Sequence, residues 1–87
     1  MELDKSAQVR IMASWTISEY DRLFRNHPPT EPNAPRRDEL EVMARETDHS
    51  PAAIKAQWDD ARSAVLGNKT AASDGLLGYL RRRGWLR

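Results

Sequence analysis

The chain has 87 residues, no cysteine and a formal net charge of +1 at pH 7. A chain of this length has room for one small domain, which buries only about 60% of its unfolded surface. The lack of cysteine excludes disulfides and thiolate metal sites, and two distant histidines, His27 and His49, make a poor metal site. No segment approaches the roughly 20 apolar residues of a membrane span, and the first residues lack a signal-peptide core. We therefore expect a soluble, intracellular protein without a metal or another cofactor.

The charges are divided unevenly along the chain. Residues 1–60 hold eight basic and twelve acidic residues, a net charge of −4, whereas residues 61–87 hold six basic and one acidic residue, a net charge of +5. A basic end of this kind favours contacts with phosphates or with acidic proteins. Residues 1–60 have no such surplus of basic residues.

The first predicted helix begins at Ile17. Thr16 and Glu19 have the spacing of a capping box, and Trp15 and Tyr20 have the spacing of a hydrophobic staple. The apolar side chains of one helical face are predicted to be buried: Tyr20, Leu23 and Phe24.

A proline-rich loop and a second helix follow. Residues 26–35 contain four of the five prolines, which cannot continue a helix. The second helix is predicted to run from about Pro35 to Glu46. Its apolar side chains, Leu40, Met43 and Ala44, are expected to face inward. Charged side chains are expected on its outer face: Arg36, Arg37, Asp38, Glu39 and Glu41.

Residues 43–58 have the pattern of one helix ending, a tight turn and another helix beginning. Ser50 is the predicted N-cap and Pro51 the first helical residue. The third helix is predicted to extend from Pro51 to Leu66, because Gly67 has the position of a C-terminal cap. Its inward side chains recur at spacings of four, three and four: Ile54, Trp58, Ala61 and Val65.

Ser73 and Asp74 are suited to cap a fourth helix. An apolar stripe of Leu76, Leu77 and Leu80 lies there beside Arg81, Arg82 and Arg83, and Trp85 and Leu86 follow Gly84. The stripe either packs on the other helices or meets a partner, and the sequence leaves both possibilities open. No segment has the alternating pattern of a strand. The predicted fold class is all-α, a three-helix helix-turn-helix unit with an additional C-terminal helix.

Three segments of the chain resemble the Myb/SANT branch of homeodomain-like three-helix domains. They are Ser14-Trp15-Thr16 with Glu19, Val42-Met43-Ala44, and SPAAIKAQW from Ser50 to Trp58. In that family a tryptophan opens helix 1, and aromatic side chains form the core. The resemblance implies a Myb/SANT-like helix-turn-helix domain over residues 14–67. An N-terminal arm, residues 1–13, would precede it, and a basic helical extension, residues 68–87, would follow.

The first function that the resemblance implies is binding of double-stranded DNA. In DNA-binding members of the family, helix 3 enters the major groove. The positions with which that helix reads bases correspond here to Lys55, Ala56, Asp59 and Asp60. A carboxylate at such a position is suited only to accept a hydrogen bond from cytosine N4. We therefore predict a small transcriptional regulator or accessory factor whose helix 3 acts with a basic tail. Its predicted DNA contacts are Lys55, Gln57, Arg62, Arg81, Arg82 and Arg83.

Both basic features also have a simpler interpretation. Arg62 either reaches a phosphate or pairs with Asp59, three residues earlier on the same helix. The arginine run, with Tyr79 and Trp85 interleaved, is either a clamp on the DNA backbone or a solvated helix end. Three adjacent arginines cannot all share one helical face.

The alternative function is a SANT-type protein-protein interaction module that docks on a larger DNA-associated protein. The partner-binding residues would be Asp59, Asp60, Leu76, Leu77 and Trp85, and the C-terminal helix could also form a homodimer. No membrane partner is expected. The chain has no glycine-rich phosphate loop and no nucleophile with a base at suitable spacing, so we do not predict an enzyme. Trp15 and Trp58 are expected in the core, and His27 and His49 are expected to be polar loop residues.

Overall fold

The computed structural model describes residues 15–86, and the predicted arm of residues 1–13 lies outside this range, as does Ser14. The described chain forms four helices and no strand: α1 (Ile17–Asn26), α2 (Arg37–Glu46), α3 (Pro51–Val65) and α4 (Asp74–Arg82). The prediction of an all-α chain is thereby confirmed. None of these helices is long and apolar enough to cross a membrane.

Capping side chains fix the start of three helices where the sequence predicted them. The Thr16 hydroxyl accepts a hydrogen bond from the Glu19 amide at 3.1 Å, and the Glu19 carboxylate accepts one from the Thr16 amide at 3.0 Å. This closes the predicted capping box of α1. The hydroxyls of Ser50 and Ser73 cap α3 and α4 by accepting amide hydrogen bonds at 3.1 and 3.2 Å.

The second helix begins two residues later than predicted. Arg36 is still extended, with φ −82° and ψ 167°, so the helix starts at Arg37. Pro35 lies outside the helix and is buried, as is Pro29. The proline-rich loop is therefore packed against the domain.

Glycines end the last two helices. Gly67, at φ +79°, follows α3 in the left-handed region, and the Asn68 amide donates to the Ser63 carbonyl at 2.8 Å. The third helix ends at Val65, one residue earlier than predicted, and the predicted glycine cap is present. Gly84 has the same role after α4, at φ +75°. The chain after Gly84 therefore turns back toward the helices.

All four helices contribute to one hydrophobic core. Leu76 and Leu80 of α4 retain none of their surface in contact with solvent, so the apolar stripe of the last helix packs on the other helices. Residues 68–86 thus share their core with residues 15–67. The buried apolar residues are Tyr20, Leu23, Phe24, Leu40, Met43, Ile54, Trp58, Ala61, Leu76, Tyr79 and Leu80.

The third and fourth helices end at the same end of the molecule. After α3 the chain runs back along that helix, because the Thr70 hydroxyl donates to the Asp60 carbonyl at 2.9 Å. The fourth helix then returns, and Leu86 lines one groove together with residues 64–67. This geometry brings Leu86, which follows the basic residues of α4, to the end of α3.

Candidate nucleic-acid interface

The outer face of α3 carries short or acidic side chains. Ala52, Ala56 and Asp59 are exposed along it, and Ser63, one turn later, is half-buried. These spacings of four, three and four residues define a single stripe, which we call the α3 stripe. The α3 stripe offers few donors for the edges of bases.

Lys55 lies beside the α3 stripe and is paired within its own helix. Its ammonium group donates to both carboxylate oxygens of Asp59, at 2.8 and 2.9 Å, and lies 6.0 Å from the ring centroid of Trp58. An exposed pair at this spacing contributes about 0.3–0.5 kcal/mol. A phosphate can therefore compete for Lys55 at small cost.

Gln57 does not lie on the α3 stripe. It is two residues from Asp59, roughly 200° around the helix. Its side chain is half-buried, and its Oε1 is buried without a hydrogen-bond partner among the described residues. Contact of Gln57 with a DNA groove would require that side chain to leave its position.

Arg62 makes a contact that the sequence did not suggest. Its guanidinium donates to the backbone carbonyl of Pro29 at 3.0 Å, in a half-buried position. It therefore joins α3 to the proline-rich loop, and it does not pair with Asp59.

The three adjacent arginines point in different directions. Arg83 donates to the Tyr79 hydroxyl at 3.0 Å, lies 3.5 Å from the Asp21 carboxylate, and has its guanidinium carbon 4.6 Å from the ring centroid of Trp85. The Tyr79 hydroxyl in turn donates to Asp21. Burial, and then this hydrogen bond, raises the pKa of Tyr79, so the phenol stays a donor.

Arg81 and Arg82 remain available on the surface. Both are exposed, and neither forms an ion pair within residues 15–86. Lys69 is also exposed, three residues after Leu66, and has no ion pair in the same range. Lys69 thus follows α3, Arg81 and Arg82 lie in the last turn of α4, and we call these three cations the basic end.

The residues of the predicted partner surface are mostly engaged in the fold. Leu76 is fully buried, which corrects its assignment to a partner surface, and Leu77 is half-buried. The ring of Trp85 meets Phe24 edge-on, with 6.0 Å between the centroids. Asp60 is half-buried, and its burial, followed by the charge of Asp59, raises its pKa. Of the predicted set, Asp59 alone is exposed, and its carboxylate is paired with Lys55.

The two histidines lie in loops, as expected, and their polar contacts hold the fold. His49 is buried, its ring stacks on Trp15 at a centroid distance of 4.1 Å, and its Nε2 lies 3.1 Å from a Glu19 oxygen. His27 holds the loop, because its Nδ1 lies 2.9 Å from the Asn33 carbonyl. The Nε2 of His27 also lies 3.0 Å from Glu39. Both helix-capping glutamates, Glu19 and Glu39, therefore have a histidine partner.

A cleft of about 250 Å³ opens between α1 and α2. Several of its polar side chains already have partners: Arg22 pairs with Glu46 at 2.8 Å, and His27 lies 3.0 Å from Glu39. Within residues 15–86 no group of three potential metal ligands lies close enough together to hold an ion. The polar groups of this cleft therefore serve the packing of the two helices.

Hydrogen bonds lower the pKa of both capping glutamates below the usual value of 4.5. For Glu19, burial alone would raise the pKa, but the Thr16 amide and His49 together outweigh it. For Glu39, the main cause is the hydrogen bond from the Arg36 amide, and His27 adds to it. Both carboxylates therefore bind protons less readily in the folded chain.

We expect the free energy of unfolding of Glu19→Gln to fall less steeply in acid than that of the parent chain. A carboxylate with a lowered folded pKa stabilises the fold above its unfolded pKa, and this contribution is lost as the pH falls through the folded value. The free energy of unfolding of the parent chain should therefore fall more steeply between about pH 5 and pH 3 than that of the variant. Urea denaturation across this range measures both slopes. Glu31→Gln, which changes an exposed loop carboxylate, should keep the parent slope; equal slopes in all three chains would refute the expectation.

Comparison of the chain with models of known protein families, with curated protein sequences and with solved structures gives no match. The Myb/SANT resemblance therefore stays a prediction from the sequence. The functional argument depends on the charges and geometry of the described residues.

Proposed function

We propose that this protein binds double-stranded DNA, mainly through the phosphate backbone, at the basic end formed by Lys69, Arg81 and Arg82. The supporting observation is that these three cations are exposed and have no ion pair within the described range. Exposed arginines and lysines without local carboxylates bind phosphates at the lowest cost. The proposal replaces the predicted contacts Arg62 and Arg83, which are held within the fold.

The arrangement of α2 and α3 is compatible with a helix-turn-helix of the Myb/SANT kind. Residues 47–50 connect the two helices, and α2 packs mainly on α3. In such a unit the α3 stripe would face the major groove. The small side chains of Ala52 and Ala56 allow close approach and suit contact with thymine methyl groups. Asp59 would repel phosphates, and its carboxylate could accept a hydrogen bond only from the N4 amino group of cytosine.

The proposed binding is therefore weakly selective for sequence. The basic end provides affinity and orientation, whereas the α3 stripe has few groups that read bases. Binding without base reading has dissociation constants of about 10⁻⁴ to 10⁻⁶ M at physiological salt. A small accessory factor, or a regulator that acts together with other DNA-bound proteins, suits an affinity of this order.

The dependence of binding on salt tests this proposal. Each neutralised phosphate contributes about −0.9 to the slope of log K against log salt. Three contacts predict a slope of about −2.7, which is a loss of roughly 40-fold in affinity between about 50 and 200 mM salt. Fluorescence anisotropy with a labelled duplex measures the slope. For the double variant Arg81→Gln/Arg82→Gln we expect a slope of about −0.9.

A second double variant provides a matched control. Arg36→Gln/Arg37→Gln removes the same charge from the start of α2, where Arg36 lies 3.8 Å from Asp38 and Arg37 lies 3.8 Å from Glu41. This variant should keep the parent slope. Arginines in the last turn of α4 also favour the helix dipole, so circular dichroism must show that each variant is folded. No binding at low salt, or equal losses in the two folded variants, would disprove the proposal.

A further inference from the structure

A groove whose lining side chains are apolar, and whose remaining surface is polar backbone, lies at the end of α3. Its walls are formed by residues 64–67 and Leu86, and its volume is about 340 Å³. Leu66 is 54% exposed, although it is a large apolar side chain, and Val65 and Leu86 are half-buried. We call this surface the apolar groove. None of the DNA contacts proposed above belongs to its lining.

The helix cap explains why Leu66 stays uncovered. Gly67 forces the chain to turn directly after Leu66, which fixes the side chain at the end of the helix. An apolar contact across such a cap often covers the end of a helix. Here the two residues that would make it are Ser63 and Asn68, which are polar. The groove is therefore left open in the part of the fold that the structure describes.

The charge of the chain segment that forms the apolar groove indicates which partner it fits. Residues 61–87 carry a net charge of +5, and the exposed Lys69, Arg81 and Arg82 belong to this part of the chain. Apolar side chains would enter the groove, and carboxylates beside them would meet these cations. Residues 1–14 hold two acidic and two basic residues, so they lack the complementary charge. Two copies joined symmetrically at this end would bring like charges together.

We propose that the apolar groove binds an acidic amphipathic helix of a partner protein. Such a helix would place apolar side chains one turn apart in the groove and would present aspartate or glutamate on either side. The groove and its cations make this a helix-in-groove interaction with a defined charge preference. This interaction uses the cations of the basic end, as the proposed DNA binding does, but its apolar anchor is Leu66, which the DNA proposal does not use.

A pair of synthetic peptides tests the proposal on the full chain. The probe is a helical peptide of about 14 residues, with leucine one turn apart and glutamate at the remaining positions, and its control has lysine in place of every glutamate. With the chain labelled with ¹⁵N, the glutamate peptide should shift the amide signals of Leu66, Gly67 and Leu86. The lysine peptide should bind at least about tenfold more weakly.

Two matched substitutions locate the binding site. Leu66→Ser should weaken binding of the glutamate peptide by about tenfold, because it removes the main apolar anchor. Ile17→Ser is the control, since Ile17 is 52% exposed at the start of α1, and it should leave binding unchanged. Leu66→Ser should also keep the affinity of the chain for duplex DNA. The two proposals can therefore fail independently, because peptide affinity and DNA affinity are measured separately on the same variants.

Several results would overturn the proposal. One is the absence of shifts with the glutamate peptide, and another is equal binding of the two peptides. Shifts at the apolar groove that depend on protein concentration alone would mean that a second copy fills it. Shifts at the same amides after deletion of residues 1–14 would mean that this segment fills it.

Discussion

A chain truncated after Asn68 is expected to lose the cooperative unfolding transition of the full chain. The truncation removes α4, whose Leu76 and Leu80 have no exposed surface. It also uncovers Phe24, whose ring centroid lies 5.8 Å from that of Tyr79. Each buried side chain of this size contributes about 1.5–3 kcal/mol, and several together exceed the few kcal/mol available to a small domain. Circular dichroism of both chains during heating measures the difference.

Point substitutions in α4 make the same test without shortening the chain. Leu80→Ala is expected to lower the free energy of unfolding by about 2–5 kcal/mol. Leu77→Ala is the control, because Leu77 is half-buried on the same helix and should cost less. Urea denaturation followed by tryptophan fluorescence gives both values. If the truncated chain melts cooperatively at the temperature of the full chain, α4 is not part of the core.

Replacement of Trp58 by alanine is expected to cost about 3–5 kcal/mol, the second large effect. Trp58 lies in the middle of α3, is only 5% exposed, and donates from its indole nitrogen to the His27 carbonyl at 2.8 Å. This bond holds the proline-rich loop against α3, beside the bond from Arg62 to Pro29. The substitution therefore removes both core volume and an attachment of the loop.

Trp58→Phe separates these two contributions. It keeps an aromatic ring and removes the donor, so the His27 carbonyl loses its partner at a cost of about 1–3 kcal/mol. Trp85→Phe is the control, because Trp85 is half-buried and packs through its ring. Hydrogen exchange should be faster at the Glu31 amide, which donates to the Pro28 carbonyl within the loop, in Trp58→Phe alone. Unchanged stability and unchanged exchange would show that the indole bond does not hold the loop.

The sequence predicted the ends of the helices to within two residues because capping is local. Thr16 and Glu19 are three residues apart, and the glycine after α3 acts on the turn directly before it. The largest error was at Pro35, where the buried ring and the extended Arg36 delay the start of α2. Burial of the loop prolines depends on the whole fold and has no local signal.

The partners of the polar side chains were not predictable, because they lie far apart in the sequence. Arg62 binds the carbonyl of Pro29, 33 residues away, and His49 binds Glu19, 30 residues away. Periodicity assigns a side chain to a helical face, but it does not identify the loop atom that this face meets. The alternative in which Arg62 pairs with Asp59 followed helix spacing alone, and it was wrong for this reason.

The candidate site was predicted in part. Helical geometry already implied that the three adjacent arginines could not share one face. The sequence could not show that Arg83 is the arginine held by the fold, because its partner Asp21 is 62 residues away. Lys69 was not among the predicted contacts, because its place beside the end of α3 depends on how the connection to α4 runs. The net charge of residues 61–87 was the one signal that could have suggested it.

A chemical-shift titration of the ¹⁵N-labelled chain with a nonspecific duplex tests the proposed DNA binding most directly. At about 50 mM salt, the largest changes should occur at the amides of Lys69, Arg81 and Arg82, with smaller changes along the α3 stripe. These changes should largely disappear at about 200 mM salt, because the contacts are with phosphates. Changes confined to α1 and α2, or no changes at the lower salt concentration, would contradict DNA binding by the basic end.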